Sequence, residues 1–110
     1  MAVRLIALYN QPTDPGAFDA HYRETHAPII RRYPGLRDFR VHRTDALGDR
    51  PPRYYLVAEM EFDSRAELDA ALASEAGKES GRDLRNFAQA GVELIVVDDA
   101  QDPGFEAPEG

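Results

Sequence analysis

Cysteine is absent from the 110 residues, which excludes disulfides, a thiol nucleophile and thiolate metal ligands and makes the chain indifferent to the redox state of its surroundings. Long apolar runs are missing too. None approaches the roughly 18 residues of a membrane span, and the opening stretch M-A-V-R-L-I-A-L-Y-N is too short in apolar residues for a signal peptide, so a cytoplasmic location without membrane contact is expected. Basic residues are in deficit: 13 Lys and Arg against 20 Asp and Glu give a formal charge of -7 and a pI near 4.8. That field repels a nucleic-acid backbone and an anionic membrane alike. No glycine-rich phosphate loop follows the first strand, no G-x-S-x-G occurs and no serine stands beside a histidine, which sets nucleotide binding and serine hydrolysis aside. A chain of this length is one domain that buries about two-thirds of its unfolded surface by itself. Any larger apolar area needs a partner.

What is present reads as six main elements and one short helical piece. Val3 to Tyr9 is an apolar, strand-length run without helical caps. Asp14-Pro15 supplies an N-cap followed by proline at the first helical position, and Tyr33-Pro34-Gly35 stops that helix. Leu36 to Thr44 alternates imperfectly, with Phe39 and Val41 against Asp38, Arg40 and His42, as in a half-exposed strand. Tyr54 to Phe62 alternates more clearly, with Tyr54, Leu56, Ala58, Met60 and Phe62 opposite Tyr55, Val57, Glu59 and Glu61. Ser64 to Glu67 has the form of a capping box and opens a second helix that Gly77 is expected to end. Leu84, Phe87 and Ala88 suggest a further short helical piece. Val92 to Val97 is the last strand, and residues 1–98 are taken as the single domain. Residues 99–110 form an acidic tail that contains Pro and Gly and is expected to be flexible.

The order strand, helix, strand, strand, helix, strand predicts an α+β, ferredoxin-like βαββαβ fold: a four-stranded antiparallel sheet with both helices on one face and strands one and three at its centre. The first and last strands are apolar on both faces, so the face without helices is expected to pack against a second copy of the chain.

The helix F-D-A-H-Y-R-E-T-H-A-P-I-I-R-R-Y-P-G-L carries the chemistry. At about 100° per residue, Ile29, Tyr22, Tyr33 and His26 share the apolar side, with Ile30 at its margin. Pro28 has no N–H, so the carbonyl of Glu24 loses its helical partner and the backbone around His26 is predicted to be kinked or opened. His21 and His26 are five residues apart and point about 140° away from each other on a regular helix, where two metal ligands need a spacing of three or four. No metal is expected. His42, among arginines on an edge strand, reads as a surface residue.

These segments resemble the EthD family, named for ethyl tert-butyl ether degradation, within the dimeric α+β barrel group. The resemblance runs to about Asp98. It rests on the first strand ending Y-N, the helix with His26-x-Pro28 ahead of Pro34-Gly35-Leu36, the strand A-E-M-E-F-D-S, the segment R-D-L-R-N-F-A and the last strand G-V-E-L-I-V-V. It implies a ferredoxin-like protomer that joins its partner's sheet in a barrel, with a small cavity per protomer between sheet and helices. Its relatives in the barrel group include cofactor-free monooxygenases, lactone isomerases, and decarboxylases or cyclases of aromatic substrates.

On this footing no cofactor is expected, and the ligand is a small hydrophobic or aromatic carbonyl compound. His26 is the candidate general acid or base, against the alternative of a core imidazole hydrogen-bonded to a carbonyl. Tyr22 is a candidate hydrogen-bond donor to a carbonyl or enolate. Glu59 is a candidate orienting group for His26, against the alternative of an ion pair with Arg40 or Arg43. Tyr9, Phe87 and Ile29 are expected to line the substrate site. A homodimeric enzyme of isomerase, decarboxylase, cyclase or oxygenase type is the leading expectation. A non-catalytic accessory protein that binds a hydrophobic metabolite or a partner oxidoreductase is the alternative, and a purely structural dimer the third.

Overall fold

A computed structural model describes residues 2–98 and 103–105. Strands β1 (Val3–Asn10), β2 (Asp38–Arg43), β3 (Tyr54–Phe62) and β4 (Val92–Asp98) form one antiparallel sheet in the order β2-β3-β1-β4. Strands one and three are central, as the sequence order requires. Helices α1 (Pro15–His21), α2 (Ala27–Ile30), α3 (Arg65–Ala73) and α4 (Glu75–Phe87) cover one face. Period-two alternation turns Val3, Leu5, Ala7 and Tyr9 of β1, and Leu56, Ala58, Met60 and Phe62 of β3, toward those helices, where all are buried. No helix among the described residues is long and apolar enough to cross a membrane.

Among the described residues, no helix packs on the opposite face. Ile6 and Leu8 of β1 pair with Ile95 and Glu93 of β4 and with Glu59 and Val57 of β3, so Ile6, Leu8, Val57, Ile95 and Val97 form an apolar band there. Ile95 is 43% and Val97 37% exposed. A charged strip runs beside this band: Arg4 reaches Glu59 and Glu61 at 3.5 and 3.6 Å, and His42 bonds Glu59 at 2.7 Å.

One expectation for β3 is corrected here. The register of β1 against β3 slips between Tyr9 and Asn10, and the extra residue exchanges the faces of Tyr54 and Tyr55. The Tyr55 hydroxyl therefore donates to Asp19 of α1 at 2.9 Å, while the Tyr54 hydroxyl donates to Glu93 on β4.

The helix ends follow their caps. Asp14 Oδ1 accepts the Ala17 N–H at 3.1 Å ahead of Pro15, and Ser64 Oγ accepts the Glu67 N–H at 3.2 Å. Gly77 does not end the second helix, contrary to expectation. The break falls at Ser74, whose side chain caps α4 through the Gly77 N–H at 3.1 Å. A Cβ at Gly77 would stand 2.3 Å from the Ala71 carbonyl oxygen, so glycine is required there for the close approach of the two helices, not for a turn. The tail expectation falls mostly on residues outside those described; residues 103–105 form a single 3-10 turn with Phe105 exposed.

Candidate functional site

Between α1 and α2 the backbone widens. Residues Tyr22–His26 form one π-helical turn in which the Ala27 N–H bonds the Tyr22 carbonyl five residues back. The cause is Pro28: without its N–H the four-residue bond to Glu24 cannot form, and the helix absorbs the gap as an i→i+5 turn. The predicted opening at His26 takes this form.

The widened turn changes which side chains are neighbours. Residues five apart now return to the same side, and His21 and His26, read as diverging, meet at one carboxylate. His26 Nδ1 lies 2.9 Å from Asp83 Oδ2, and His21 Nε2 lies 2.9 and 3.0 Å from the two oxygens of Asp83. Asn86 Nδ2 donates to Asp83 Oδ1 at 3.0 Å. Asp83 is on α4 and, like His26, is buried. Among the described residues no group of three His, Cys, Asp or Glu side chains is arranged to hold a metal ion.

Glu59 is not the partner of His26. Its neighbours Ala58 and Met60 face the helices, which turns Glu59 to the bare face, where it pairs with Arg4 and His42. The orienting role assigned to it falls to Asp83. That residue lies on a stripe at Ala76, Ser80, Asp83 and Phe87, spaced i, i+4, i+7, i+11, all buried. Two polar residues on an inward stripe were the signal available in the sequence.

The arrangement determines protonation. An ionised carboxylate only accepts, so Nδ1 of His26 carries the proton and Nε2 is left with its lone pair. Burial, the dominant influence, pushes the His26 pKa down, against the hydrogen bond and charge of Asp83, and the net direction is below 6.5. His26 is thus a neutral imidazole at neutral pH. Burial alone would raise the Asp83 carboxyl, but hydrogen bonds from Asn86, His26 and His21 outweigh it and hold the group below the usual carboxylate range.

Around Nε2 the walls are aromatic and aliphatic. The Tyr9 hydroxyl stands 3.5 Å away, a long contact that an incoming acceptor can displace. A void of about 70 Å³ lies beside the ring, lined by Tyr9, Ile30, Tyr33, Met60 and Leu84 and bordered by Leu94 at the β4 edge. Tyr33 donates to Ser80 Oγ, which donates to the Gly77 carbonyl. The Tyr22 ring packs 5.3 Å from His26, and its hydroxyl is buried without a hydrogen-bond partner. Burial drives the pKa of Tyr9 and Tyr22 far above the ordinary phenol value, so both remain protonated donors.

Phe87 and Ile29 sit elsewhere than expected. Phe87 packs against His26 at 4.6 Å and stacks on His21 at 5.0 Å, but its free side borders an outer groove of about 420 Å³ shared with His21 and Asn86. Ile29 is buried facing α4, beside Asp83 and Asn86; its neighbour Ile30 borders the void instead.

The His26 pKa sets a sign for stability. Below about pH 6.5 the unfolded chain binds a proton on His26 that the folded chain resists, so this residue subtracts stability as the pH falls from there to its lowered folded value. Asp83, with its depressed pKa, contributes stability that is present above about pH 3.9 and lost only as the pH falls through its folded value. Thermal unfolding of wild type and His26→Gln between about pH 7.5 and 5 is expected to show the melting-point advantage of wild type shrinking with acidification. A constant difference would contradict the assignment.

Comparison with known proteins supplies the family. The EthD domain pattern matches residues 10–91. An uncharacterized 11.0 kDa protein of the thcB-thcC intergenic region of Rhodococcus erythropolis is 38% identical over 96 residues, which are 87% of this chain and 93% of that one. The crystal structure of an EthD family protein from Bacillus halodurans C-125 is 42% identical, with a TM-score of 0.85 over 91% of this chain and 100% of that one. A variant of SnoaB, a cofactor-independent oxygenase of Streptomyces nogalater, shares the fold at 19% identity, with a TM-score of 0.66 over 93% of this chain and 96% of that one. The chain is therefore a member of the EthD family, with a ferredoxin-like fold.

Proposed function

We propose that the protein is a cofactor-independent enzyme that moves a proton next to the carbonyl of a small hydrophobic or aromatic compound, with His26 as the base. The supporting observation is a buried imidazole whose Nδ1 lies 2.9 Å from Asp83 Oδ2 and which lines an apolar void; burial favours its neutral form. A substrate carbonyl in that void presents its adjacent C–H to Nε2. As the proton transfers, the imidazolium is stabilised by the carboxylate of Asp83, and the developing enolate oxygen accepts from the protonated hydroxyl of Tyr9, which lines the void and which the Tyr22 hydroxyl backs from outside it. His21 and Asn86 act as positioning residues, since their bonds fix the carboxylate that fixes His26. The carbanion so formed is a common starting point for isomerisation, decarboxylation, cyclisation or attack on dioxygen, the last being the type of chemistry named for SnoaB.

The size of the void limits the ligand. At about 70 Å³ it matches the liquid volume of two or so waters, so an aromatic substrate requires Leu84 and the half-exposed Leu94 to move aside. Leu94 belongs to the edge strand β4 and is 54% exposed, so its side chain is the one with most freedom to swing.

The same reading includes a homodimer. Ile6, Leu8, Val57, Ile95 and Val97 form an apolar band on a sheet face that no helix covers among the described residues, and such a face is stabilised by covering it with a second copy. Light scattering at micromolar concentration is expected to give twice the chain mass of 12.3 kDa, and Ile95→Glu is expected to shift it to the monomer. A monomeric wild type would overturn the dimer.

Catalysis is tested by hydrogen–deuterium exchange beside the carbonyl of a panel of small aromatic ketones and lactones in D₂O, followed by NMR. His26→Ala is expected to lower exchange by about 100-fold or more, and Asp83→Asn by a smaller but clear factor, with ligand affinity nearly retained in both. The rate should fall on the acid side, as His26 protonates below about pH 6.5. Exchange that survives His26→Ala would remove the base assignment. Ligand binding without exchange in the wild type would favour the accessory role.

A further inference from the structure

A second concave site lies on the helix side of β2, away from the bare sheet face and separate from the void at His26. It encloses about 200 Å³ between the π turn, α2 and the strand, with Phe39, Val41 and Leu56 as its apolar wall and Arg23, Arg31 and Arg43 at its rim. In a chain of formal charge -7, such a gathering of guanidinium groups is a local reversal of sign.

One of these charges is already satisfied. Arg43 Nη1 donates to Asp19 Oδ1 at 2.9 Å, and Tyr55 donates to the same carboxylate. Burial raises the Asp19 carboxyl, yet the hydrogen bonds from Arg43 and Tyr55 and the charges of Arg43 and Arg23 hold it below the ordinary value; Asp19, which also lines the groove, thus offsets one of its three positive charges, chiefly that of Arg43. Arg23 and Arg31 form no ion pair with a carboxylate among the described residues, although Arg4, Arg32, Arg37, Arg40, Arg53 and Arg65 all do. Arg31 lies over the Phe39 ring at 6.0 Å, an arrangement that holds the guanidinium at the edge of an aromatic wall. The ring of Tyr22 forms part of the floor.

We propose that this groove binds a small aromatic carboxylate, the carboxylate held by Arg31 and Arg23 and the ring set against Phe39 and Val41. Paired N–H donors in a fixed plane suit a carboxylate, and the volume accommodates a single ring but falls below the range of drug-sized ligands. The proposal does not depend on chemistry at His26. Dimerisation through the bare face leaves the groove open, because Phe39 and Val41 stand opposite Met60 and Ala58 on the helix side of the sheet.

Benzoate is the probe, titrated at low salt with amide NMR shifts as the readout. Millimolar binding is expected, with shifts clustered at residues 22–31 and 39–43. The Arg23→Gln/Arg31→Gln double variant should bind at least about tenfold more weakly, Arg31→Lys should lie between, and benzyl alcohol should bind wild type at least about tenfold more weakly than benzoate does. His26→Ala should bind as wild type. Circular dichroism guards against misfolding, and both arginines are exposed. Equal affinity for benzoate and benzyl alcohol, undiminished binding by the folded double variant, shifts that map to another surface, or no binding by wild type would each overturn the proposal.

Discussion

A proline that cannot donate a hydrogen bond governs the geometry of this molecule. Pro28 leaves the Glu24 carbonyl without its partner, and the helix responds with one wide turn at Tyr22–His26 instead of breaking. In a regular helix His21 would face away from His26, and a single carboxylate could not reach both. With the extra residue in the turn, Asp83 bonds both rings. The energetic demand of the buried carboxylate is met by His21 at the end of α1, His26 in the π turn and Asn86 on its own helix. Burying such a charge unpaired would be strongly unfavourable, so the packing of α4 against the π turn and the state of the imidazole are coupled.

That coupling also explains why the imidazole is neutral yet oriented. Desolvation disfavours the imidazolium, and the carboxylate opposes it incompletely. The result is a fixed tautomer whose Nε2 lone pair meets only the long contact from the Tyr9 hydroxyl at 3.5 Å, in a pocket whose hydroxyls are kept protonated by the same desolvation. Aromatic packing holds these parts: Phe87 contacts both histidines, Tyr9 and Tyr22. Truncating Phe87 would loosen the whole cluster.

Much of this was legible in the sequence, for identifiable reasons. Strand order, helix caps at Asp14 and Ser64, and the inward position of His26 follow from periodicity and local chemistry, which act within a few residues. The disturbance at His26 was legible from Pro28, but its form was not: a kink and a π turn leave the same trace in one dimension and differ in which residues they bring together. For that reason the meeting of His21 with His26 at one carboxylate is not legible from their spacing. Asp83 does not stand out in the sequence, because it lies on a highly charged helix, whereas Glu59 lies on a central strand; yet a strand's alternation is unforgiving, and Ala58 and Met60 commit Glu59 to the other side. The bulge that swaps Tyr54 and Tyr55 shows the same sensitivity, since one inserted residue reverses every side chain before it.

The account stands on the state of one ring. Long-range ¹⁵N–¹H NMR of the histidine side chains at neutral pH distinguishes the two neutral tautomers from the imidazolium. The prediction is a His26 with its proton on Nδ1, a bare Nε2 and no titration until well below the pH at which a free imidazole charges, and a spectrum in which Asp83→Asn alters this signal. A His26 that is protonated on Nε2, or doubly protonated at neutral pH, would contradict the central claim.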